Sequence, residues 1–227
     1  MRAFAKLLLT VLALALLLAR GAAAQELADY DYENLTFRGI GLDYGWIWPS
    51  KVEPTQQYAL RLDLGFLGPA VRIAPSIAYW RSHLQTAELD RLADRLNRLP
   101  PLQEQGVEIS AQDLGRVEWS DLALSIDAHV VWTAPLDIIT FLGLGASLHA
   151  LNGRGDAIAD TFVEDLLDST TAGVAVMGGA EFQLLPRVRV YGEARYTFVS
   201  DVRYPGIRVG ASVMLPPRNA TTPESAR

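Results

Sequence analysis

From Ile40 to Trp48 the even-numbered residues are all large and apolar: Ile40, Leu42, Tyr44, Trp46 and Trp48. Gly39, Gly41, Asp43 and Gly45 stand among them. Successive side chains of a strand point to opposite faces, so this segment offers one greasy face and one small, polar face. Seven further stretches share the pattern. Strands are expected over 38–48, 57–66, 70–80, 118–132, 137–149, 171–184, 187–199 and 206–215. Each is near the ~9–11 residues that cross a bilayer when tilted, and some have length to rise above it.

The connections constrain the fold further. Leu67-Gly68-Pro69, Thr133 to Leu136 and Leu185-Pro186 are turns of a few residues, whereas 49–56, 81–117, 150–170 and 200–205 are longer. Strict alternation of short and long connections requires an even number of strands. A membrane barrel has this arrangement, with tight turns and both termini on the periplasmic side and long loops outside. The expected fold is all-β. It is an eight-stranded antiparallel up-and-down transmembrane β-barrel over 37–215, with short helices in two extracellular loops.

Residues 1–24 read as a secretory signal peptide. Arg2 and Lys6 precede an apolar run from Leu7 to Ala19, and Ala22-Ala23-Ala24 offers a cleavage site before Gln25. That run is too short to span a bilayer as a helix, and no later stretch approaches the ~20 apolar residues such a span needs. Residues 25–36 are then a periplasmic segment, and the Pro-, Thr-, Ser- and Arg-containing tail 216–227 is expected to be disordered. The cell outer membrane is the expected location. Without cysteine there is no lipidated N-terminal Cys and no disulfide framework. Loss of Arg2, Lys6 and Arg20 with the signal would leave 17 of the 20 cationic residues against 26 acidic ones, a net of −9. That balance disfavours nucleic acid as a partner.

A water-soluble exported barrel of the lipocalin type would show the same period with its faces exchanged. Two features favour lipid outside. The polar face is rich in Gly, Ala and Ser and poor in Lys. Aromatics also collect near strand ends, with Trp46, Trp48, Tyr58, Tyr79, Tyr196, Phe198 and Tyr204 at one and Phe37, Phe66, Trp132 and Phe182 at the other. Two belts at headgroup level are what a membrane barrel carries.

The segment Val190-Tyr191-Gly192-Glu193-Ala194-Arg195-Tyr196-Thr197-Phe198, a short loop, and Gly206-Ile207-Arg208-Val209-Gly210 resemble the small eight-stranded outer-membrane barrels of the OmpA/OmpX-like and opacity-protein-like group. The resemblance covers about 37–215 at the level of pattern rather than motif. Such barrels commonly finish on an aromatic residue used in assembly, whereas this last strand ends at Met214-Leu215. The resemblance implies outer-membrane lipids as partners, a monomer, and no cofactor.

The expected lumen holds Asp43, Arg61, Asp63, Arg72, Asp121, Asp127, His129, Glu181, Arg189, Glu193, Arg195 and Arg208. An eight-stranded barrel has room only for its own side chains, so these charges must pair. Hairpin geometry suggests Glu181 with Arg189 and Asp63 with Arg72. A structural ion-pair core is the expected role, with a narrow gated channel as the alternative. Some small barrels are lipid-modifying enzymes. Ser147 and His149 share a face of one strand, and Ser125, Asp127 and His129 share a face of another. Strand residues two apart are expected to stand too far apart for a direct hydrogen bond, so no catalytic, cofactor or metal site is expected.

The remaining function is expected in the loops. Thr86 to Leu99 reads as an amphipathic helix, with Leu89, Leu92, Leu96 and Leu99 on one side, stopped by Pro100-Pro101. Asp156, Asp160, Glu164 and Asp168 recur every four residues opposite Ile158, Phe162, Val163 and Leu166, suggesting a second helix with an acidic stripe. Both helices are expected to cap the barrel mouth. A protein partner, or divalent cations shared with lipid headgroups, would engage their outer faces. Arg154-Gly155-Asp156 recurs by chance too often to signal adhesion.

Overall fold

The computed structural model describes residues 35–215 apart from 69, 106–107, 159–160, 162, 164–166 and 201. Residues 1–24, expected to be a signal peptide, residues 25–34 and the tail 216–227 lie outside the described residues, as do 159–160, 162 and 164–166 of the helix expected around the acidic stripe. Nine segments pair antiparallel: β1 (Gly39–Ile47), β2 (Thr55–Asp63), β3 (Phe66–Gly68), β4 (Val71–His83), β5 (Glu118–Ala134), β6 (Ile138–Arg154), β7 (Ser169–Leu185), β8 (Val188–Val199) and β9 (Arg203–Met214). Pairing of β1 with β9, from Gly39↔Met214 to Ile47↔Gly206, closes the sheet. Both β2 and β3 lie along β4, so they are two parts of one stave. The result is a closed barrel of eight staves.

The break between β2 and β3 is a β-bulge. Leu64 N–H donates to Ile73 O, while Ile73 N–H donates to Gly65 O. Two residues therefore oppose one. Gly65 takes the left-handed φ of 72° that a side chain would resist, and its N–H is held by Asp63 Oδ1 at 2.7 Å. The extra residue reverses which side chains face in. Phe66, expected among the outward aromatics, is buried in the lumen, and Leu67 faces out instead. Tyr204 is a second correction, because it is buried under the outer mouth rather than in a belt. Trp46, Trp48, Tyr58, Tyr79 and Phe198 are exposed at one end, and Phe37 and Phe182 at the other.

The orientation of the faces is plain. Leu42, Leu60, Ile77, Leu124, Leu144, Val176 and Val209 project outward and exposed, while Asp43, Arg61, Asp127, Glu193 and Arg208 are buried within. A soluble barrel would have the reverse, so the apolar band faces lipid. Strands β5, β6 and β7 run 17 residues each, well beyond the ~9–11 needed to cross. They extend further than the sequence suggests and shorten two loops, which begin after His83 and Arg154 rather than at 81 and 150. The β5–β6 hairpin keeps one register from Glu118↔Arg154 to Ala134↔Ile138. It turns through Pro135–Asp137, with Leu136 and Asp137 at φ 69° and 55°.

At the long-loop end the segment after β4 folds into α1 (Thr86–Asn97), α2 (Pro100–Gln105) and α3 (Ala111–Leu114). The proline pair both ends α1 and starts α2, since proline fits the first turn of a helix, where no N–H is needed.

Candidate functional site

Two regions are built beyond what a bare barrel needs: the packed mouth at the long-loop end and the polar lumen beneath it. Leu92 and Leu96 of α1 point into the barrel with Leu114 of α3. They meet Ile47, Val52, Trp80, Leu84, Trp119, Leu151, Val199 and Tyr204 from the strand ends. Ile158 and Val163 from the second loop join the same apolar cluster. Leu92 and Leu96 are at most 1% exposed, so α1 is a plug rather than a solvated excursion.

Polar contacts fix that plug. Gln85 Nε2 donates to Val52 O at 2.7 Å, and the Asn97 amide exchanges two 2.8 Å bonds with the backbone of Ile109. Trp119 Nε1 donates to Leu167 O, and Asp168 accepts from Asn152 Nδ2 and Gly153 N. Ser110 Oγ accepts from the Asp113 N–H while the Asp113 carboxyl accepts from the Ser110 N–H and hydroxyl, a capping box that holds the Asp113 carboxyl below the usual carboxylate range. Of the acidic stripe, Asp168 is engaged by these two bonds, and Asp160 and Glu164 lie outside the described residues.

Below the plug the lumen is filled by ion pairs that cross the barrel. Arg61 lies 2.6 Å from Glu193 and 3.2 Å from Asp43, with its guanidinium 4.6 Å from the Tyr191 ring. Arg208 bonds Glu193 and lies 3.6 Å from Asp43, and Tyr191 donates its hydroxyl to Asp43. Arg195 holds Asp127 through two bonds of 2.7 and 3.0 Å. Nearer the short turns, Arg72 clasps Glu181 at 2.5 and 2.8 Å. The two hairpin pairs suggested by sequence are present only at 3.9 Å, Arg189 to Glu181 and Arg72 to Asp63. Glu181 is held mainly by an arginine 109 positions away, because the closed lumen brings opposite walls nearer than hairpin neighbours.

The small luminal residues make this packing fit. A Cβ on Gly145 would fall 2.2 Å from Asp127 Oδ1, and one on Gly179 would fall 2.3 Å from the Gly192 carbonyl. Phe66, Val131, Phe141, Ala175 and Met177 form a second apolar cluster toward the short turns.

The histidines separate. His129 stacks on Phe141 with ring centroids 4.6 Å apart, and its Nδ1 is 3.3 Å from Arg72. Ser125 pairs with Ser76 at 2.8 Å, so Ser125, Asp127 and His129 do not come together. His149 differs. Its Nε2 is 2.8 Å from Ser147 Oγ, and its Nδ1 is 2.8 Å from Asp121 Oδ2. The expectation that Ser147 and His149 stand too far apart is overturned: their side chains lean toward one another along β6. Sequence reasoning also missed the tie to Asp121. The register Ala123↔His149 places Asp121 diagonally across from the imidazole, and diagonal neighbours are within reach of long side chains.

No protein-family model matches the chain, and no curated protein matches it. Among solved structures, Neisserial surface protein A (NspA) superposes with a TM-score of 0.52 at 14% identity, covering 81% of this chain and 100% of that one. This is the fold of a small eight-stranded outer-membrane barrel. The Ail attachment invasion locus protein of Yersinia pestis gives 0.47 at 12% identity, over 80% of this chain and 100% of its own. The N-terminal β-barrel domain of Pseudomonas aeruginosa OprF gives 0.45 at 8%, over 78% and 97%. These likenesses concern the barrel's backbone. The plug and the luminal side chains are described from this chain alone.

Proposed function

We propose that this protein is an outer-membrane barrel, closed by its own side chains, that presents a folded platform at the cell surface. The platform is built from the described residues of 84–117 and 155–168. The observation that carries this is the apolar cluster beneath α1, which fixes the long loops as one packed unit. A loop with no task beyond linking strands needs no core of its own, and long ordered loops in compact domains are usually functional. Above that core, Asp90, Arg91, Asp94, Arg95 and Arg98 stand exposed on α1. Their mixed charges suit a protein partner that supplies complementary charge rather than a nucleic acid.

The same packing speaks against the gated-channel alternative. Apolar clusters close both ends of the lumen, and paired charges fill the middle.

Photo-crosslinkers placed at Arg91, Asp94 or Arg98 and activated on intact cells test the platform. A discrete adduct from these positions, absent when the crosslinker is moved to lipid-facing Leu142, is expected. Failure to obtain one from all three positions would remove the surface role and leave the barrel itself standing.

A further inference from the structure

Every buried luminal carboxylate described above faces an arginine, except one. Asp121 is fully buried, and among the described residues its one hydrogen-bond partner is His149, whose Nδ1 lies 2.8 Å from Oδ2. His149 is 1% exposed, and its Nε2 meets Ser147 Oγ at 2.8 Å. The two contacts set the three side chains in a row, Asp121 Oδ2 to one ring nitrogen and Ser147 Oγ to the other, while Asp121 Oδ1 is buried with no hydrogen-bond partner. The other luminal carboxylates are neutralised by cations, and the other luminal histidine is stacked on Phe141 beside Arg72.

We propose that Ser147, His149 and Asp121 form a nucleophile–base–orienting-acid relay that makes Ser147 an acyl acceptor toward carboxylic esters entering from the outer mouth. The proposal goes beyond the surface platform and does not rest on it. Two further features point the same way. Gly173 is the cross-strand partner of Ser147, and a Cβ there would lie 2.8 Å from both Ser147 Oγ and His149 Nε2. Glycine thus keeps side-chain atoms away from the one place that touches nucleophile and base together. Above it on the luminal face of β7 come Thr171 and Ser169, and Ser169 lines a pocket of about 120 Å³ between α1 and the barrel rim. Ser169 stands four positions from Gly173, roughly 13 Å along the strand, and the buried Ser147 does not itself line that pocket, so an ester reaches Ser147 only when the plug shifts. Leu84, Leu92, Trp119 and Leu167 give that pocket apolar walls, and Lys51, Arg95 and Glu88 give it mixed charge. An ester with an apolar acyl chain fits these walls.

The step balances within the three residues and water. Ser147 Oγ attacks the ester carbonyl carbon, and as the Oγ–C bond forms its proton passes to His149 Nε2. Collapse of the tetrahedral adduct breaks the ester C–O bond, and the Nε2 proton goes to the departing alkoxide. Water then attacks the acyl-serine and gives a proton to Nε2, which returns it to Ser147 as the carboxylic acid leaves. Asp121 orients the imidazole and stabilises the transient imidazolium without itself taking the proton, so it is a positioning residue.

The test uses the full chain folded in lipid vesicles, with a fluorophosphonate probe and p-nitrophenyl butyrate. One phosphonate adduct on Ser147 is expected by peptide mass spectrometry. It should be abolished by Ser147→Ala, slowed about 10³-fold or more by His149→Asn, and unchanged by Ser125→Ala. Asp121→Asn should lower ester kcat by about 10⁴-fold with KM unchanged, while the folded band on cold SDS gels persists. Because the plug limits entry, a Leu92→Ser/Leu96→Ser variant is labelled in parallel. Adducts that appear only there, and still depend on His149, support a relay behind a closed plug. No Ser147 adduct in either protein, or labelling indifferent to His149→Asn, overturns the proposal.

Discussion

At the scale of single residues, removing one partner of a buried ion pair leaves the other charged in a medium that cannot solvate it. Arg72 and Glu181 are such a pair, with side chains 5% and 6% exposed. Replacing Glu181 by Gln should destabilise the barrel by about 3–5 kcal/mol. A matched Arg72→Met/Glu181→Leu double variant should recover most of that. Urea midpoints of folding into vesicles measure both. Arg189 is more exposed and stands 3.9 Å from Glu181, so Arg189→Ala should change stability by about 1 kcal/mol or less. Equal effects of Arg72→Ala and Arg189→Ala would contradict the cross-barrel assignment. The glycines give a second contrast. Gly179→Ala would drive its Cβ to 2.3 Å from the Gly192 carbonyl, and overpacking of this kind should destabilise by about 1–3 kcal/mol. Gly192→Ala, with nothing within 4 Å of its Cβ on the lipid side, should be near neutral by the same measurement.

At the scale of elements, α1 is the part whose position depends most on tertiary packing. Its apolar spacing is evident in the sequence, but which surface it covers is not. Leu96 is fully buried among strand-end residues, and Leu96→Ala should weaken the docked plug by about 2–5 kcal/mol. The expected readout is trypsin cleavage between Arg91 and Arg98 on intact cells, faster in the variant, while the barrel's folded gel band is retained. Loss of the folded band together with the plug would mean that plug and barrel fold as one unit. The α3 capping box adds a pH dependence. Its Ser110 bonds depress the Asp113 carboxyl, so their contribution is present above the unfolded pKa and lost as pH falls through the lowered one. The protection factor of the Asp113 amide, its exchange relative to the free-peptide rate at the same pH, should therefore fall in acid, and a Ser110→Ala variant should show no such acid step.

At the scale of the whole molecule, closure and orientation are the properties to test. The lumen is occupied along its length, so planar-bilayer recordings of the purified protein should show no stable open state of large conductance. Undocking the plug with Leu92→Ser/Leu96→Ser should not create one, because the Arg195–Asp127 and Arg61–Glu193 pairs remain below it. A wide, reproducible conductance in that variant would assign the plug the role of a gate. Orientation is checked with epitope tags. A tag after Gln112 should bind antibody on intact cells, and one at Leu136 only after lysis. The reverse pattern would invert the topology.

Much of this was legible without coordinates, because side-chain alternation and loop length are local properties. The barrel, its strand count, its polar interior and the amphipathic α1 all follow from spacing along the chain. What the sequence could not supply was parity and partnership. The left-handed Gly65 inserts a residue into β2–β3 and turns Phe66 inward, and no periodicity announces a bulge. Glu181 is clasped by Arg72 rather than by hairpin neighbour Arg189 because closure sets opposite walls within reach. The Ser147–His149–Asp121 relay lies between these cases. The tight turn at Pro135–Asp137 fixes the β5–β6 register, and that register already places Asp121 diagonal to His149. The lean of Ser147 toward the imidazole was decided only in the folded lumen, where Gly173 leaves the two side chains room to meet.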